Sequence, residues 1–574
     1  MSKLDSSQQS AWRNSYKIAK ENSVSTATYL TVFVFAILGA IWVHRLTPQD
    51  LSYPWRVTDS DLSSSYSLAQ ATGQSWFGLI HHSLGAPFTA DLSFAFIPDD
   101  LQIEFIRVLT HLTDNPFVAV NVFYLLTFGL CGVTFLLLAD QFKLSRWISS
   151  PLALSYAWLP YHFTRMDVGH VFLAAYYMVP IGVVFLHRLF QYLMGESDNY
   201  FPKRLILRPF YVLGIVAVGS SGAYYGFFFA LLAAPMVILA PQKGFSISET
   251  AKRIVTTISI SVLFILAPLI RILISKLRGL ETVLTRSPEE SVQFGGSIAR
   301  LLVPWGTWLP QKMIPLVSKM EYEWNASPLL GVLGVWILII GITSTLAGRS
   351  PRSTDKSLSF IFIWALLLYT ASGLGLVFAY GIDSSFRCWN RLSIVIMTLA
   401  FVALAKFLSG LKFSHIPIAI ILVFVTAFTQ LSPLNGAGIG AEPDETSRAA
   451  FRSLEVVAAY IQKEIEPGCK ILQLPIMKFP EGGQVGQVGN GAHLWLPLLT
   501  SGFQWSYGAP KGTEAGDYWP NLAQESVQLQ IESAVQKSFC AVIVDLRGGF
   551  TSSQGEMSPF QLVNTLDDFA IYAR

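Results

Sequence analysis

Charge is what this chain is short of: only 13% of its 574 residues are Asp, Glu, Lys or Arg, about half the ~25% of an ordinary soluble domain. That deficit excludes a water-soluble fold of this length. Many windows near 20 residues are almost uncharged, the length that crosses a ~30 Å hydrocarbon core. Also missing are His-Glu-x-x-His, paired Cys-x-x-Cys, a Walker loop and a Gly-x-Ser-x-Gly elbow. A zinc protease, a serine hydrolase and an ATP-driven pump of those types are therefore excluded. Cysteine is scarce, with four in all. Cys469 and Cys540 each follow a helical pattern and precede a strand. In an oxidising compartment they could pair, but two buried free thiols are the reading favoured here. The net charge of +3 does not point to nucleic acid, because the basic residues serve topology.

What is present is a series of apolar runs: 29–45, 117–138, 148–162, 170–190, 207–220, 223–240, 254–274, 328–346, 358–379, 391–408 and 415–431. They predict an α-helical polytopic membrane protein of about eleven transmembrane helices. The polar tail 1–28 carries Lys3, Arg13, Lys17 and Lys20 and is too long to be a cleaved signal peptide. Every second connection is also basic: Lys143 and Arg146; Arg188, Lys203, Arg204 and Arg208; Lys243, Lys252 and Arg253; Arg349, Arg352 and Lys356; Lys406 and Lys412. By the positive-inside rule the N-terminus is cytoplasmic. The outer face then receives loop 46–116, loop 275–327, the turn 380–390 and everything after 431. A linker, 432–446, precedes an extracytoplasmic α/β domain, 447–574. In that domain helices near 447–465 and 523–537 lead into strands at 470–474 and 541–545. The run Asn435-Gly436-Ala437-Gly438-Ile439-Gly440 has no strand before it and reads as linker, not as a dinucleotide fingerprint.

The residues that can carry chemistry gather on this outer face. Asp59 and Asp61 follow the first span, where a carboxylate against apolar surface can act as a general base. A solvated loop, or a cap for a helix at 61–72, is the competing reading. Asp99 and Asp100 precede Leu101, Phe105, Val108 and Leu109, whose spacing predicts an amphipathic surface helix. That pair suits either a helix cap or a site. Arg165, Asp167 and His170 occupy one short outer turn, and Arg387 and Arg391 flank Cys388-Trp389-Asn390 in another. Arginine at such turns runs against the positive-inside bias, and its planar fork matches phosphate. Lipid headgroups or pairing with Asp167 or Asp383 are the bland alternatives. Glu321 and Glu323 face the same mouth or solvent. Asn325-Ala326-Ser327 has the form of a glycosylation sequon.

The first helix, the outer loop bearing Asp59-Ser60-Asp61, the surface helix and the outer C-terminal domain resemble the GT-C superfamily of membrane glycosyltransferases. The chain is more closely similar to bacterial polytopic proteins loosely labelled sugar translocases. Those matches lie at Leu84-Gly85-Ala86-Pro87-Phe88, Pro160-Tyr161-His162-Phe163, Gly169-His170, Ser287-Pro288-Glu289-Glu290, Leu474-Pro475 through Phe479-Pro480-Glu481, and Trp505-Ser506-Tyr507-Gly508-Ala509. The resemblance implies a bacterial inner-membrane enzyme that moves a sugar from a polyprenyl-phosphate donor to an envelope glycan or lipid. It implies Asp61, or Asp59, as base in an inverting transfer. Arg165, His170, Arg387, Arg391, Asp99, Asp100, Glu321 and Glu323 become candidate substrate contacts. No obligatory cofactor or metal is expected, since arginine can neutralise a leaving monophosphate. A lipid-linked-sugar transporter would want ionisable groups near the midplane, and Arg271, near a span end, is the chief charge there. A non-catalytic scaffold of an envelope-synthesis complex is the third reading.

Overall fold

The computed structural model describes residues 25–55, 61–94, 99–278, 286–304, 327–348, 356–436, 445–550 and 555–574. Every predicted span contains helix. Six described helices are long and apolar enough to cross a membrane: Thr26–His44 (α1), Pro116–Gln141, Ala223–Pro241, Leu329–Leu346, Trp389–Ser409 and His415–Leu434. Ile247–Phe264 and Leu266–Leu277 form a seventh candidate, bent by 63°, and Val179–Leu193, Leu205–Ser220 and Lys356–Tyr369 are shorter apolar helices. The chain is a helical membrane protein with a small C-terminal sheet.

Local chemistry accounts for the helix ends. Asn115 accepts from the N–H groups of Phe117 and Val118, and Pro116 fills the first turn, where no donor is needed. The helix that follows is apolar all round and mostly buried, with one stripe through Val122, Leu126, Leu130 and Leu137 partly open. The bend at Ile265 has a cause in sequence: Pro268 cannot donate to the carbonyl of Phe264, so the ladder breaks there. Glycine permits a close crossing: a Cβ at Gly334 would lie 2.1 Å from the carbonyl oxygen of Ala400, so helices Leu329–Leu346 and Ser393–Ser409 meet backbone to backbone.

After the first span, α2 (Leu62–Gln74) and α3 (Asp100–Thr113) frame the first long loop. The predicted surface helix is present, but its deepest stripe is Ile103, Ile106 and Thr110, while Val108 points outward. The C-terminal sheet places Lys470–Leu474 (β1) between Gln504–Trp505 and Phe539–Asp545 (β2), parallel to both. Gln561–Leu566 and Phe569–Ala573 extend it as an antiparallel hairpin. Cys469 and Cys540 are joined in a disulfide, which corrects the expectation of free thiols: the parallel register of β1 and β2 brings their starts side by side.

The sheet domain makes several contacts with segments that connect the membrane helices. Leu84 bridges Trp505 as an added strand residue, and Trp519 donates to the carbonyl of Ala86 at 2.7 Å. Arg448 pairs with Asp50 at 3.0 Å, and Arg286 pairs with Glu481 at 2.7 Å.

Candidate functional site

Asp61 is the residue just before α2, yet its side chain makes no capping bond to that helix. The carboxylate turns instead to His170, with Oδ2 3.1 Å from Nε2. His170 is delivered by the turn after Pro160–Asp167 (α4), where its backbone N–H donates to the carbonyl of Arg165 at 2.8 Å. The Asp61 side chain is 65% exposed and so open to a substrate. Desolvation raises its pKa, but the hydrogen bond and charge of His170, with the charge of Arg391, outweigh it and hold the carboxyl below its ordinary range. Asp61 is therefore ionised at neutral pH. His170 Nδ1 is buried and has no hydrogen-bond partner among the described residues.

Arg391 ties the two acidic positions together. It is 7% exposed, lies over the ring of Tyr224 at 4.3 Å, and bears electrostatically on both Asp61 and Asp99. Arg165, 3% exposed, lies over Tyr161 at 4.7 Å. Both guanidinium charges reach the hydroxyl of Tyr225, which donates to the carbonyl of Leu173. The two short turns that hold Arg165 and Arg391 therefore converge on one place.

Asp99 does not cap the helix it precedes. Its Oδ1 accepts from the N–H of Ala223 at 3.2 Å, at the start of Ala223–Ala233 (α5). Burial pushes its pKa up to about 7; Asp100 adds to the rise, while the Ala223 N–H, Arg271 and Arg391 oppose it. Asp61 and Asp99 thus titrate far apart despite sharing Arg391. Asp100 pairs with Arg271, which also donates to the carbonyl of Ser93. A cavity of about 390 Å³ opens beside this pair, walled by Leu79, Ile103, Ile270 and Ile274.

Arg387 has a different environment. Its guanidinium pairs with Glu290 of the Ser-Pro-Glu-Glu motif and lies over Phe294 at 4.6 Å. Asp59, Glu321 and Glu323 fall outside the described residues. The roles of Tyr224 and the Ala223 N–H arise from packing and leave no mark in the sequence, and Tyr161 is marked there only as part of the Pro160–Phe163 match. Arg271 had a signal, as a lone charge near a span end, but nothing in the sequence tied it to Asp100.

No protein-family model and no curated protein matches the chain. Among solved structures it resembles ArnT from Cupriavidus metallidurans bound to undecaprenyl phosphate, with a TM-score of 0.52 at 12% identity, over 96% of this chain and 98% of that one. The likeness is one of fold, in line with the resemblance to GT-C enzymes expected from the sequence. The chain is likewise similar in fold to the arabinofuranosyltransferase AftD from Mycobacteria, with a TM-score of 0.52 at 12% identity. The alignment takes in 96% of this chain but only 40% of AftD, so the chain spans under half the length of that relative.

Proposed function

We propose that the chain is a glycosyltransferase that uses a polyprenyl-phosphate sugar and modifies an envelope glycan or lipid on the outer face of a bacterial inner membrane. The observation that carries this reading is the Asp61 carboxylate, released from helix capping, ionised, and held by His170 beside Arg391. Asp61 takes the proton of an acceptor hydroxyl as that oxygen attacks the anomeric carbon. The bond from the anomeric carbon to the donor phosphate breaks, and inversion follows from attack opposite the leaving group. Arg391 and Arg165 meet the charge that develops on the departing phosphate. Arg387, already engaged by Glu290, holds the loop in shape.

His170 supplies a pH test. The base must be ionised, so turnover rises with pH through the Asp61 pKa and levels off above it. His170 lowers that pKa; in His170→Ala the raising effect of desolvation is left less opposed. The acid limb of the pH–rate profile should therefore move to higher pH, with the plateau rate less affected. An acid limb that stays in place would remove His170 from the base assignment.

The orientation is tested separately. A C-terminal alkaline phosphatase fusion should be active and a C-terminal GFP fusion dark in a bacterial host. The opposite pattern would put Asp61 in the cytoplasm, away from an outer-leaflet donor, and would end this reading.

A further inference from the structure

The segment Gly482–Gly491 holds five glycines, three carboxamides (Gln484, Gln487 and Asn490) and no charged residue. It runs across the carboxyl ends of the two parallel strands β1 and β2. Gln487 donates its backbone N–H to the carbonyl of Arg547, just beyond β2, at 2.8 Å. His493 Nε2 hydrogen-bonds the carbonyl of Pro475, just beyond β1, at 2.9 Å, and Gln473 donates to the carbonyl of His493. The carboxyl edge of parallel strands is where open α/β sheets collect their ligands.

A tight turn fixes the segment. Val485 and Val488 exchange backbone hydrogen bonds of 3.0 Å in both directions, with Gly486 at φ +60° between them. A Cβ at Gly486 would lie 2.6 Å from the carbonyl oxygen of Arg547, so only glycine fits. Gln487 is thereby held at the tip, exposed, as is Gln484.

Its two ends are tied to the candidate site. Gly491 accepts from the Ser63 hydroxyl at 3.0 Å, two residues beyond Asp61. Glu481 is neutralised by Arg286 at 2.7 Å, on the segment that also carries Glu290, the partner of Arg387. The segment therefore spans from the helix that follows Asp61 to the facing outer loop. Along it, Asn490 Oδ1 is shielded from solvent and has no partner among the described residues.

We propose that the turn Gly482–Gly491 is the acceptor seat, and that it takes an uncharged, polyhydroxylated saccharide. A carboxamide offers a donor and an acceptor without charge, as a sugar hydroxyl does. Gln484, Gln487 and Asn490 form a rim of such groups, and Ser63–Gly491 fixes its distance to Asp61. An acidic acceptor finds no cation along the segment, and an apolar one finds no unbroken apolar surface. The proposal rests on Asp61 as the base, and it sharpens the acceptor from glycan or lipid to neutral glycan.

The test is direct binding by the full chain in nanodiscs to a printed array of neutral hexose and pentose oligosaccharides, with uronic-acid and sulfated oligosaccharides alongside. Wild type and Asp61→Asn should bind the same neutral subset. The triple variant Gln484→Ala, Gln487→Ala, Asn490→Ala should lose at least tenfold of that signal with an unchanged melting temperature. The Asn490→Asp variant, which adds a charge at the same size, should lose it too. Full binding by the triple variant, binding confined to acidic probes, or no neutral binding by wild type would overturn the seat. Neutral binding that the triple variant loses, with no sugar transfer by wild type to the bound saccharide, would sustain the seat and sink the transferase reading.

Discussion

Asp61→Asn should abolish sugar transfer, with turnover falling about a thousandfold, inside the 10²–10⁴ range that a positioned general base contributes. The amide keeps the size and the contact with His170 but cannot take a proton. The fold should be untouched for a reason visible in the geometry. The Asp61 side chain makes no cap bond to α2, and an ion pair this exposed contributes at most about 1 kcal/mol. Membrane insertion and melting temperature should therefore match wild type while radiolabelled sugar incorporation disappears. Asp59→Asn should be the milder change. Full activity in both variants would remove the general-base assignment.

That prediction depends on a contact the sequence could not display. The helix expected at 61–72 is α2, because the polar-to-helical switch after Asp61 is a local signal. The same signal gave cap readings for Asp61 and for Asp99. Both carboxylates instead leave their own helices, one for His170 and one for the Ala223 N–H. Those partners are distant in the chain, and only the packing of the bundle brings them close. The strands at 470–474 and 541–545 are legible as short apolar runs that follow helical patterns, whereas their parallel register, and with it the Cys469–Cys540 bridge, is a tertiary fact. Gly482–Gly491 is the opposite case. Its composition is plain in the sequence, but its meaning comes from the Ser63–Gly491 bond that sets it beside α2. Arginine is unexpected in short turns opposite the basic connections, a signal shared by Arg165, Arg387 and Arg391. It could not distinguish them, since the partner of Arg387 is a glutamate on another loop.

Arg391→Lys should separate a phosphate-binding guanidinium from a charge that merely serves the fold. Lysine keeps the positive charge that faces Asp61 and Asp99, so Asp61 stays ionised and the protein stays folded. What lysine lacks is the planar fork that gives two parallel hydrogen bonds to phosphate oxygens. Losing one charge-assisted bond in a sheltered site costs roughly 1.5–3 kcal/mol, about one to two decades in rate. Turnover with a polyprenyl-phosphate sugar should therefore fall at least tenfold, with the acid limb of the pH profile left where wild type has it. Arg387→Lys is the matched comparison: its guanidinium is engaged by Glu290 and stacked on Phe294, so its loss should stay within about threefold, near the ~0.5 kcal/mol of an ordinary substitution away from the chemistry. Arg165→Lys, on the same mouth over Tyr161, should follow Arg391. Rates near wild type for both Arg391→Lys and Arg165→Lys would leave the departing phosphate with no fork to receive it. A protein that still bound its lipid but needed neither arginine nor Asp61 would then be a scaffold on a GT-C fold.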